Sequence, residues 1–164
     1  MFFRKANMLD VAAVTKIYDG ARKIMKESGI PQWQEGVPGR ESFITDVQNG
    51  AAYVIEDEGN VIGTVQIIDH EPYYDVIDGA WTTENALVAH RVAVYNDCRK
   101  HGVGSMLISE AEKIAKAKGK EALRLDTHEK NFRMRGMLEK NGFKIVGVVY
   151  MPDGSPRLAY EKTF

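Results

Sequence analysis

Two hydrophobic rhythms alternate along the chain. Apolar side chains recur three and four residues apart at Val11, Val14, Ile17, Tyr18, Ala21, Ile24 and Met25, which puts them on one helix face. Asn7 stands where an N-cap would, with Asp10 at the third position to complete the exchange. Gly29 and Pro31 stop the run. A second helix is predicted over residues 102–118, with Val103, Met106, Leu107, Ala111, Ile114 and Ala115 on one face and Gly119 closing it. Shorter helices are predicted over residues 39–49, bearing Phe43, Ile44 and Val47, and over 131–140, ended by Asn141 and Gly142. Residues 2–5, 52–56, 61–68, 88–95, 122–126, 144–151 and 158–164 read as strands. Glu58, Gly59 and Asn60 turn the second strand into the third, and residues 152–156 form a turn-rich connection. Residues 69–86 follow neither rhythm and read as irregular. The order β-α-α-β-β-β-α-β-α-β-β predicts a mixed α/β (α+β) sheet with helices on its faces.

Length and composition narrow this picture. A chain of 164 residues, 44% apolar and 27% charged, suits a single domain over 1–164 with its own core. A net charge of -1 argues against nucleic-acid binding. The apolar runs are too short for a membrane span, and the first residues do not read as a signal peptide. Cys98 is the only cysteine, so no intrachain disulfide or multi-thiolate metal site can form. The four histidines show no metal-ligand spacing, so no metal is expected. These traits point to the cytoplasm. The charge is segregated: residues 1–40 carry +3, residues 41–90 carry -10 with no Lys or Arg, and residues 91–164 carry +6. Such a chain can meet an anion with one part and a cation with another.

The anion candidate follows the strand ending at Tyr95. Arg99, Lys100, His101, Gly102, Val103, Gly104 and Ser105 lead directly into the long helix. Glycines let the backbone approach a ligand, and a helix start offers unpaired N–H groups and a partial positive charge. Together with the basic side chains this suits a diphosphate. It is not a Rossmann fingerprint, because position 107 is Leu107, nor a Walker loop, because Gly119 and Lys120 are followed by Glu121.

The spacing Arg99-x-x-Gly102-x-Gly104 between a Val-rich strand and an amphipathic helix resembles the acetyl-CoA motif of the GNAT superfamily of N-acetyltransferases. Residues 126–131 (Asp-Thr-His-Glu-Lys-Asn) and 138–143 (Leu-Glu-Lys-Asn-Gly-Phe) look like its second half. The span Ile30, Pro31, Gln32, Trp33 is similar to an uncharacterised bacterial subgroup. The resemblance implies the GNAT fold: a mixed, mostly antiparallel sheet with a splayed central strand and about four helices on both faces. It implies acetyl-CoA as co-substrate. Backbone groups of Val92, Ala93 and Val94 would pair with its pantetheine arm, residues 99–105 would wrap its diphosphate, and Asn131 and Phe132 would lie by the pantetheine. The reaction would be direct acetyl transfer to a primary amine in a ternary complex, with a small-molecule amine preferred and a protein N-terminus or lysine as the alternative. A homodimer is compatible with the resemblance, although no stretch marks an interface.

An alkyl amine is mostly protonated at neutral pH, so the site needs a base, and it needs a donor such as the Val94 N–H for the oxyanion. Here the sequence departs from its relatives. Many carry Tyr where this chain has Leu138, and some carry a glutamate base where it has Val88. His90, two residues on from Val88 along the same strand, is the leading base candidate and His128 the second. Tyr150 or a water would protonate the leaving thiolate. The aromatic and acidic segment with Tyr73, Tyr74 and Trp81, together with Trp33, would receive the cationic amine. Met134 and Met137 read as core filler and Cys98 as a packing or surface thiol. Two rivals remain at this point: a catalytically silent acyl-CoA sensor, and a nucleotide-binding protein with an atypical phosphate loop.

Overall fold

A computed structural model describes residues 1–98 and 101–164. Its strands are β1 (Phe2–Lys5), β2 (Ala52–Asp57), β3 (Asn60–Ile68), β4 (Ile77–Gly79), β5 (Ala86–Val94), β6 (Ala122–Thr127), β7 (Lys144–Tyr150) and β8 (Pro156–Thr163). Its helices are α1 (Val11–Glu27), α2 (Arg40–Gln48), α3 (Val103–Ala117) and α4 (Phe132–Lys140). The sheet order is β1-β2-β3-β5-β6-β8-β7-β4. The described pairs are antiparallel except β5 with β6. The chain divides within β5 into two compact units.

The first unit holds Met1–Ile67 and Arg91–Glu110. Asn7 caps the chain's entry into α1 as predicted: its Oδ1 accepts from Leu9 N, and Asp10 Oδ2 accepts from Asn7 N at 2.8 Å. A single 3-10 turn, Met8–Asp10, precedes the α-helix. Val14, Ile17 and Tyr18 of α1 bury against Phe43 of α2 and against Ala52, Val54 and Ala93 of the sheet. Arg4 binds Asp10 with both terminal nitrogens at 2.9 Å and also reaches Glu56, which fastens β1 to β2 and to the helix entry. At Gly63 a Cβ would meet Val103 Cγ1 at 2.9 Å. A side chain there would push away the first turn of α3, so this glycine sets how closely the helix start approaches β3.

The second unit holds Ile68–His90 and Ala111–Phe164. β5 runs parallel to β6 over Ala86, Leu87 and Val88 only, opposite Ala122, Leu123 and Arg124. β6 and β8 pair antiparallel along the whole of β6, and β8 continues onto β7. Tyr74, Val88, Val149 and Ala159 form a buried cluster against which Tyr73 and Trp81 pack. The segment read as irregular, 69–86, contains a 3-10 turn at Pro72–Asp75 and the short strand β4. β4 escapes notice in the sequence because it is three residues long and depends on its partner. Its Gly79 crosses β7 at Gly147 so closely that a Cβ on Gly79 would overlap the Val146 carbonyl, and one on Gly147 the Asp78 carbonyl. β5 begins two residues earlier than predicted. Ala86 to Ala89 are all buried and so lack the alternation that marks a half-exposed strand.

Candidate functional site

In the first unit, β5 delivers Val92, Ala93 and Val94 toward the loop before α3. Ala93 is buried in the core, while Val92 and Val94 are half-buried. Tyr95 N donates to Ile62 O at 2.8 Å, which fastens the strand's end to β3. A 3-10 turn follows at Asn96–Cys98. Arg99 and Lys100 lie outside the described residues. Gly102 adopts φ +73°, where a side chain is strained, and a Cβ there would point into open space. The first helical bond described in α3 runs from Met106 N to Gly102 O at 3.0 Å, at the positive end of a fifteen-residue helix. Val103 is buried and Gly104 half-buried, whereas His101 and Gly102 are exposed. A left-handed glycine with open space beside it, followed by a helix start, is a place where an anion could approach the backbone. The pairing of β5 with β6 ends at Val88, six residues before β5 itself ends.

Trp33 lies in the same unit, with φ +65° and its ring edge-on to Tyr18 at 5.8 Å. Arg22 fixes its backbone: Nε donates to Trp33 O at 2.7 Å, and Nη2 donates to Pro38 O. Arg91 also adopts the left-handed conformation, at φ +56° in mid-strand. Its Nη1 meets Asp46 Oδ2 at 2.5 Å, and Gln66 Nε2 donates to Asp46 Oδ1 at 2.9 Å.

The second unit gathers three of the predicted residues around His90. The Tyr73 ring stacks on the imidazole at 5.9 Å, Tyr74 meets it edge-on at 5.4 Å, and Trp81 lies 5.1 Å from Tyr74. Trp81 Nε1 donates to Tyr74 O at 2.8 Å, and the Arg124 guanidinium lies 4.3 Å from the indole centre. Two carboxylates join them that sequence reasoning missed. His90 Nε2 is 3.0 Å from Glu71 Oε1, within ion-pair reach but not aligned as a hydrogen bond. His90 Nδ1 is 3.6 Å from Asp126 Oδ2, which accepts the hydroxyls of Tyr73 and Tyr74 at 2.7 Å each. Burial first, and the Asp126 charge second, hold both phenols above their ordinary range, so they remain donors. Asp126 ends a predicted strand and opens the second-half motif, which was its signal. Glu71 was hidden in the acidic segment.

The other candidates lie outside this cluster. Asn131 is buried and caps α4, its Oδ1 accepting from Met134 N at 3.2 Å. Phe132 is 71% exposed, with the Arg135 guanidinium 5.5 Å from its ring. His128 Nδ1 accepts from Lys130 N at 3.0 Å, and burial followed by Arg157 lowers its basicity. Leu138 is fully buried, whereas Tyr150 at the end of β7 is 44% exposed. Met134 and Met137 are only half-buried, and Cys98 is a free thiol of intermediate exposure. Among the described residues no cluster of His, Cys, Asp and Glu could hold a metal ion, and no helix is long and apolar enough to cross a membrane.

Known proteins share this fold. A structure of a GNAT-family acetyltransferase from Streptococcus agalactiae 2603 superposes with a TM-score of 0.89 at 32% identity, over 99% of this chain and 95% of that one. A curated relative, the uncharacterized N-acetyltransferase YhfO of Bacillus subtilis (strain 168), is 24% identical over 153 residues, 88% of this chain and 90% of its own. The structure of yncA from Salmonella typhimurium with its cofactor acetyl-CoA shares the fold, with a TM-score of 0.74 at 17% identity over 99% of this chain and 93% of that one. The model of the acetyltransferase (GNAT) family matches residues 18–143. The loop before α3, the β5 strand that outruns its parallel partner and this match across most of the sequence lead to one conclusion: the chain belongs to the GNAT family of acetyltransferases.

Proposed function

We propose that the protein is an acetyl-CoA-dependent N-acetyltransferase acting on the primary amine of a small cationic molecule in the cytoplasm. Acetyl-CoA would supply an activated acyl group, so that attack by an amine nitrogen gives an amide and the free thiol of CoA. Gly102 and the amides opening α3 would hold the diphosphate, together with the basic residues Arg99, Lys100 and His101. The backbone of Val92, Ala93 and Val94 would pair with the pantetheine arm, flanked by Asn131 and Phe132, and the Val94 N–H would meet the developing oxyanion. The His90 cluster would receive the ammonium and its proton. Tyr150 or water would protonate the leaving thiolate, since Leu138 has no group to give.

The observation that carries the substrate class is this cluster. One imidazole lies between two carboxylates and beside the rings of Tyr73 and Tyr74, with Trp81 next to Tyr74. Carboxylates and aromatic faces attract an alkylammonium, and a nearby base removes the proton that blocks attack. A second reading, an acyl-CoA sensor without turnover, draws on the buried Leu138. Thiol release from acetyl-CoA across a panel of small amines and peptides separates the two. The proposal expects amine-dependent release that is fastest with small cationic amines. CoA binding with no release over the whole panel would establish the sensor instead.

A further inference from the structure

His90 is the residue the sequence nominates as base, yet its Nε2 is buried and both of its ring nitrogens face carboxylates. Nε2 faces Glu71 at 3.0 Å and Nδ1 faces Asp126 at 3.6 Å. The imidazole itself is only 12% exposed. The two carboxylates are not equivalent. Asp126 is 6% exposed, and its Oδ2 already accepts two phenol hydroxyls. The Glu71 side chain is 20% exposed, and the structure describes no hydrogen bond to its carboxylate. Opposite it, His90 Nε2 is buried without a hydrogen-bond partner. A more accessible carboxylate, to which the described residues make no hydrogen bond, therefore stands in front of a buried nitrogen that also lacks one.

We propose that Glu71 is the residue that meets the ammonium, and that it hands the proton inward to His90. This rests on the acetyltransferase reading above and deepens it. The ammonium R–NH3+ loses a proton to Glu71 Oε1, leaving the neutral amine with its lone pair free to attack and Glu71 as the neutral acid. Glu71 then passes that proton to His90 Nε2, which regenerates the carboxylate and leaves an imidazolium beside Asp126. Asp126, held by Tyr73 and Tyr74, keeps the ring in place and balances the new charge. The charged and titratable groups around the pair are thus Asp126, Tyr73 and Tyr74, with Arg157 acting on Tyr73 from β8. Glu71 is the catalytic residue here, and His90 stores the proton behind it. The same carboxylate selects the substrate class: an amine that arrives protonated is attracted, and an anionic or acylated one is not.

The test uses the full chain with acetyl-CoA and whichever amine of the panel turns over fastest. Glu71→Gln keeps the size and removes the charge. It should lower kcat/KM by about 100-fold or more, the scale of a lost acid–base group, with CoA affinity and melting temperature unchanged. Glu71→Asp should recover part of the loss. His90→Gln should keep CoA affinity and melting temperature but move the acid limb of the pH–rate profile. Near-wild-type kcat/KM in Glu71→Gln would overturn the proposal. So would loss of CoA binding in step with activity, which marks a structural role, or an unmoved acid limb in His90→Gln. Failure of the parent reading looks different, because the unmodified protein then releases no thiol with any amine.

Discussion

His90 and Arg91 are consecutive on β5 and both meet carboxylates, but in different chemistry. Arg91 carries a permanent charge. It meets Asp46, a buried acid that Gln66 also binds, and the pair sits where the strand makes a left-handed step at φ +56°. Such a step costs a non-glycine residue roughly 1–2 kcal/mol, and the ion pair holds the residue in it. His90 is an imidazole, whose two ring nitrogens can each accept or donate a hydrogen bond. It meets two acids of unequal exposure among phenol hydroxyls. One residue therefore fixes the strand's course and the next is equipped to move a proton. The contrast shows why a charge pair is read by its titration and access as well as by its distance.

The contrast breaks or sharpens according to three measurements. The largest effect is expected at Asp46. Removing one partner of a buried pair strands the other, and Asp46→Ala should destabilise the fold by about 3 kcal/mol. For a chain of this size that lowers the melting temperature by about 6–12 °C, while the acid limb of the pH–rate profile stays in place. An unchanged melting temperature would show that Arg91 does not depend on the pair.

The second effect is a pH dependence elsewhere in the first unit. Burial raises the pKa of Asp10, but Arg4 and the Asn7 N–H outweigh it and hold the carboxyl below its usual range. A group depressed in the folded state contributes stability above its unfolded pKa of about 4 and loses it as pH falls through the folded value. Acid should therefore remove about 1–2 kcal/mol at this site, and Asp10→Asn should flatten the stability curve below about pH 4. A curve with the same acid slope in both proteins would contradict this. The smallest effect is at Asn7. Asn7→Ala removes the cap and should cost about 1 kcal/mol, seen as a melting shift of about 2–4 °C.

The parts that the sequence made legible are those that local chemistry determines. α1 and α3 follow from helical spacing with a cap or a stop; α3 forms within a residue of its expected ends, while the first turn after Asn7 is 3-10 and the α-helix begins at Val11. The loop before α3 was legible for the same reason, since its glycines and the helix start are adjacent in the chain. β4 was not, because Gly79 and Gly147 matter only once β4 and β7 are side by side. Glu71 and Asp126 were not read as partners of His90 either. A turn after β3, the middle of β5 and the far end of β6 must fold together before those three side chains meet. The Leu138 departure was visible from the start, and its complete burial explains why that position is occupied by a core residue.

The central claim is that β5 and the start of α3 grip acetyl-CoA through their backbone. Amide hydrogen exchange with and without the cofactor tests it most directly. Exchange should slow at residues 92–94 and 102–105 on addition of acetyl-CoA, and Gly104→Glu should abolish both the slowing and the binding. Protection confined to other segments, or equal binding by the Gly104→Glu protein, would contradict the account.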